Sequence, residues 1–104
     1  LSASNLDILQ AADRLEKGAT DASQRLVGRL SGDAAARADL FAALGPEAGI
    51  DRTDGLRISF ASGAIVHLRP SGNAPELRCY AEAGTEAEAA ALVRDTLAAL
   101  GARL

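Results

Sequence analysis

The chain has 104 residues, with 11 Lys and Arg, 14 Asp and Glu, one His, one Cys and a formal net charge of −3. That length holds one domain, and 48% hydrophobic with 24% charged residues is globular rather than disordered composition. One Cys forms no internal disulfide, one Cys with one His makes no structural zinc site, no apolar run approaches about 18 residues, and net acidity argues against a general nucleic-acid binder. With two Phe, one Tyr and no Trp, the core must be aliphatic. The chain contains no Met and opens on Leu1, so we expect a fragment or a processed piece.

Residues 1–19 allow two readings. Ser2 and Ser4 suit the cap of a short helix carrying Leu6, Ile8 and Leu9. The mixed polarity from Leu9 to Lys17 suits a first strand instead. Residues 20–30 read as a helix capped by Thr20 or Asp21, with Ala22, Leu26 and Leu30 on one face, Val27 beside them, and a stop at Ser31-Gly32. A second helical pattern runs from Asp33 to Leu44, carries Leu40, Phe41 and Leu44, and ends at Gly45-Pro46.

The period then changes to two. Leu56, Ile58 and Phe60 alternate with Arg57 and Ser59, Ala61-Ser62-Gly63 makes a turn, and residues 64–68 return as the second arm of a hairpin. Two prolines five apart in Arg69-Pro70-Ser71-Gly72-Asn73-Ala74-Pro75 predict an ordered loop. A third strand over 76–83 turns Leu77, Cys79, Ala81 and Ala83 one way and Arg78, Tyr80 and Glu82 the other. Thr85-Glu86-Ala87-Glu88 is a capping box, opening a helix with a stripe of Ala89, Val93, Leu97 and Leu100 that Gly101 ends. Sequential strands with short turns predict an α+β fold: an antiparallel sheet with helices packed on one face.

Little of this carries chemistry. No pair of His residues exists for a metal, and Asp51-Arg52-Thr53-Asp54-Gly55 lacks the alternating ligands of a calcium loop. Composition permits a Ser-His-Asp set, but no nucleophile-elbow motif accompanies it, so we name no catalytic residue. Cys79 reads as a small core residue, and His67 as structural or surface. The 69–75 loop is the exception. Arg69 offers a fork that matches phosphate oxygens, Ser71 a hydroxyl, Gly72 close backbone approach with convergent N–H groups, and Asn73 an amide. Arg78 adds positive potential from the next strand. The same residues also serve ordinary turns.

The run from Arg69 through Ser71, Gly72, Asn73 and Arg78 to Ala83 resembles the signature of the C-terminal, fourth domain of the α-D-phosphohexomutases, and is most similar to bacterial phosphomannomutase/phosphoglucomutase sequences. Asp54-Gly55-Leu56-Arg57-Ile58 resembles the family's Asp-Gly strand, and Ala12–Lys17 with Thr20–Ser23 its opening strand and helix start. Many relatives have Thr-Glu where this chain has Asn73-Ala74; Asn keeps a donor, while Ala74 removes a charge.

The resemblance implies a TATA-binding-protein-like α+β layer over 12–104, with 1–11 as linker or the tail of a preceding domain. It implies Arg69, Ser71, Gly72 and Asn73 as ligands of a hexose phosphate's phosphoryl group, with Arg78 ranked lower. The partners would be mannose or glucose 1- or 6-phosphate and the other domains of the same cytoplasmic enzyme, with no nucleic acid and no membrane. That enzyme would move phosphate between C1 and C6. Its phosphoserine and magnesium loop would lie in other domains, so this chain would hold no cofactor itself and would be inactive alone. The competing expectation is a non-catalytic α+β protein-interaction domain.

Overall fold

Backbone pairing joins the alternating segments into one antiparallel sheet. The computed structural model describes residues 10–16, 22–70 and 76–103. Its strands are β1 (Gln10–Glu16), β2 (Glu47–Asp51), β3 (Leu56–Phe60), β4 (Ile65–Pro70) and β5 (Glu76–Glu82). They lie in the order β1-β5-β4-β3-β2, every neighbouring pair antiparallel. The helices are α1 (Ala22–Gly32), α2 (Ala34–Leu40) and α3 (Glu86–Gly101), with a 3-10 turn at Ala42–Leu44.

Period two sorts the sheet's faces. Leu56, Ile58, Val66, Leu68, Leu77 and Cys79 are completely buried on one face. Against them pack Leu26, Val27 and Leu30 of α1 and Val93, Leu97 and Leu100 of α3. Phe41 meets Phe60 edge to face, with ring centroids 5.6 Å apart. Each fully buried Leu or Ile contributes about 1.5–3 kcal/mol over an exposed one, so this aliphatic layer is the main source of cohesion. The other sheet face carries Arg57, His67, Arg69, Arg78, Tyr80 and Glu82, all at least partly exposed.

Local signals operate as their chemistry requires. The Thr85 hydroxyl accepts from the Glu88 N–H at 3.1 Å and starts α3. Asp33 caps α2 by accepting from the Ala36 N–H at 3.0 Å. The β3–β4 hairpin closes through Gly63 at φ +98°, with the Phe60 N–H donating to the Ala64 carbonyl at 2.9 Å.

Several expectations change. Three sequential strands become five. β2 is an outer-edge strand whose five residues are all exposed, so it shows no alternation. Of the strand expected from Leu9 to Lys17, Gln10–Glu16 forms β1. The helix expected over 33–44 stops at Leu40, where Phe41 leaves helical geometry. Arg69 and Pro70 belong to β4 rather than to a loop. The capping expected of Thr20 or Asp21, and the short helix considered near Leu6, lie outside the described residues.

Candidate functional site

Register brings the two cationic candidates together. Arg69 of β4 lies directly opposite Arg78 of β5, and directly opposite pairs in antiparallel sheets have Cα atoms roughly 4.5–5.5 Å apart. Arg14 of β1 takes the next register position, opposite Arg78. Like charges directly opposite one another disfavour the sheet, whereas an anion over the row reverses that sign. Ser71, Gly72 and Asn73, the remaining expected ligands, lie outside the described residues.

Asp54, a residue not expected at the site, joins it. Its carboxylate Oδ2 lies 3.1 Å from Arg69 Nε. Its main-chain oxygen lies 2.6 Å from His67 Nε2. A carbonyl only accepts, so the His67 Nε2–H is the donor. Gly55 explains the reach: it sits at φ +72°, and a Cβ there would run into the Leu68 carbonyl. Only glycine lets the chain approach β4 this closely. The Asp51 carboxylate shapes the start of the same turn by accepting from the Thr53 N–H at 2.8 Å. Hydrogen bonding from Thr53, side chain first and main chain second, holds the Asp51 carboxyl below the ordinary carboxylate range.

Next to Arg69 the open sheet face dips into a shallow concavity of about 200 Å³ lined by Arg57, His67, Arg69, Tyr80 and Glu82. The His67 and Tyr80 rings lie 5.9 Å apart, tilted by 41°. Cys79 is buried on the opposite face, as expected of a core thiol. Among the described residues no group of three or more His, Cys, Asp or Glu could hold a metal ion. No helix among them is long and apolar enough to cross a membrane.

Chemically, the arrangement can bind and orient an anion. It sets two arginines opposite each other in register on the open face, and Arg69 pairs with the Asp54 carboxylate. Among the described residues it sets no nucleophile beside a base.

Residues 13–100 match the family model described as phosphoglucomutase/phosphomannomutase, C-terminal domain. A phosphomannomutase of Sinorhizobium fredii (strain NBRC 101917 / NGR234) is 45% identical over 91 residues, which cover 88% of this chain and 19% of that protein. A phosphomannomutase of Salmonella muenchen is 52% identical over 54 residues, covering 52% of this chain and 11% of that protein. The chain therefore spans about a fifth of the first relative's length and less of the second's.

Proposed function

Since this chain belongs to the phosphoglucomutase/phosphomannomutase family, as its C-terminal domain, we propose that residues 12–104 grip the phosphate of a hexose phosphate while a larger enzyme transfers a phosphoryl group between C1 and C6. Arg69 and Arg78 supply charge. Ser71, Gly72 and Asn73 supply hydroxyl, main-chain and amide donors. The observation that carries this reading is the Arg69–Arg78 register pair on the open face.

The chemistry suits such a clamp. Phosphoryl transfer depends on positioning and on electrostatic stabilisation. An intermediate phosphorylated at both ends must turn round between two transfers. A site that recognises a dianion through arginine and N–H donors holds whichever phosphate is idle and ignores which end of the sugar bears it. The chain contributes binding and no reacting group, so it is inactive by itself. We place the parent enzyme in the cytoplasm, as the family resemblance implies.

Weak autonomous binding follows. Hydrogen bonds to a charged group contribute roughly 1.5–3 kcal/mol each. Three contribute about 4.5–9 kcal/mol against an association cost of about 4 kcal/mol or more. The balance is an affinity near millimolar or weaker.

An amide NMR titration with glucose 1-phosphate tests this, with glucose as control and Arg69→Ala in parallel. Shifts confined to 69–78, seen with the phosphate alone and lost in the variant, support the clamp. Shifts spread over the sheet with both sugars favour an interaction domain and overturn it.

A further inference from the structure

We propose that Asp54 is a positioning residue for Arg69: it holds the Nε edge of the guanidinium so that the paired Nη groups face an incoming phosphate. This deepens the phosphate-clamp reading and rests on it.

Three consecutive residues of β4 meet the Asp54-Gly55 dipeptide. His67 donates to the Asp54 carbonyl, the Leu68 carbonyl fills the space where a Gly55 side chain would begin, and Arg69 pairs with the Asp54 carboxylate. The carboxylate is thus carried on a backbone anchored to the same strand as its partner. A guanidinium is planar, so a carboxylate 3.1 Å from Nε occupies the Nε side and restricts the directions in which the Nη1–Nη2 edge, an edge that takes phosphate bidentately, is presented.

Exposure argues against a stabilising role. The Arg69 and Asp54 side chains keep 43% and 64% of their accessible surface. Ion pairs that wet contribute little to folding stability. Such a pair does restrict the rotamers of a long side chain before a ligand arrives, and preorganisation of that kind raises affinity. Against it stands the negative charge of Asp54, which repels a dianion and is screened by solvent. The two effects have opposite signs, so removing the charge decides between them.

The experiment uses the 104-residue chain as wild type, Asp54→Asn, Asp54→Glu and Arg69→Ala, with inorganic phosphate and glucose 1-phosphate as probes. In the absence of any anion, the Arg69 Nε–Hε NMR signal of the wild type should be shifted and protected from exchange, and Asp54→Asn should return it to that of a free arginine. Phosphate affinity should fall about three- to tenfold in Asp54→Asn. Asp54→Glu separates geometry from charge: it keeps the carboxylate but displaces it, so positioning requires weaker binding there too.

Equal or tighter phosphate binding by Asp54→Asn, with Arg69→Ala still binding poorly, overturns the positioning role and leaves the clamp standing. Wild-type affinity retained by Asp54→Glu although its Arg69 Nε–Hε signal has returned to that of a free arginine overturns it as well. A wild-type chain that shows no response near Arg69 up to about 50 mM of either probe overturns the clamp, and the positioning role with it.

Discussion

Arg37 grips Glu47 through three hydrogen bonds: Nε donates to Oε2 at 3.0 Å and to Oε1 at 3.2 Å, and Nη2 donates to Oε1 at 2.9 Å. The remaining nitrogen, Nη1, donates to the carbonyls of Leu30 and Ser31 at 2.8 and 3.1 Å. One guanidinium therefore joins the end of α1, the body of α2 and the start of edge strand β2. Arg37 is only 8% exposed, so its loss leaves α1 carbonyls and the Glu47 carboxylate without their partner.

Arg37→Ala should therefore destabilise the fold by about 2–4 kcal/mol, and Glu47→Gln by about 1–2 kcal/mol. Urea unfolding of the two variants checks this. A loss below about 0.5 kcal/mol for Arg37→Ala would show that the clip is ornamental.

The same pair sets an acid response. The Arg37 hydrogen bond holds the Glu47 carboxyl below its ordinary 4.5. A depressed folded-state value means that the stabilisation is complete above the ordinary carboxylate range and is lost as pH falls through the lowered value. Stability should decline below about pH 4.5, and Glu47→Gln should flatten that part of the curve. Parallel slopes for wild type and variant across pH 3–5 would contradict the assignment.

Gly55 and Gly63 both have positive φ but stand in different surroundings. A Cβ on Gly55 strikes the Leu68 carbonyl, whereas one on Gly63 meets nothing within 4 Å. Gly55→Ala should cost about 2–4 kcal/mol and move the amide signals of Asp54 and Arg69, while Gly63→Ala should cost about 1 kcal/mol and leave them in place. Comparable losses at both positions would mean that backbone conformation alone, not the close approach to β4, restricts Gly55.

The hairpin, the last strand and the last helix were legible because burial on one face imposes a period. Leu56, Ile58 and Phe60 must alternate, and Ala89, Val93, Leu97 and Leu100 must recur every three or four residues. β2 was not legible, since Glu47, Ala48, Gly49, Ile50 and Asp51 are all exposed and the strand is held by main-chain pairing to β3. At the site, Arg69 and Arg78 announced themselves through charge. Asp54 did not, because its reach depends on the conformation of Gly55. The partner of His67 is a main-chain oxygen, which no side-chain pattern reveals. Arg37 and Glu47 stand ten positions apart, a spacing without any local meaning.

Cys79 makes a fourth prediction simple to check. It is fully buried between the sheet and the helices. A thiol reagent should leave it unmodified in the native chain and label it completely in denaturant. Rapid labelling under native conditions would show that the β5 core face opens to solvent.

β1 pairs with β5, so Gln10 sits opposite Glu82 while β2, β3, β4 and β5 follow one another as neighbours in the chain. The four-strand meander assembles from short-range closures. The seam between β1 and β5 requires the ends of a long loop to meet, and such contacts slow folding more than they alter stability. α3 packs on both β1 and β5, so docking of that helix prepares the berth into which the first strand settles. The rate of folding is then governed by how soon the amino-terminal strand finds its place beside a strand the chain makes last.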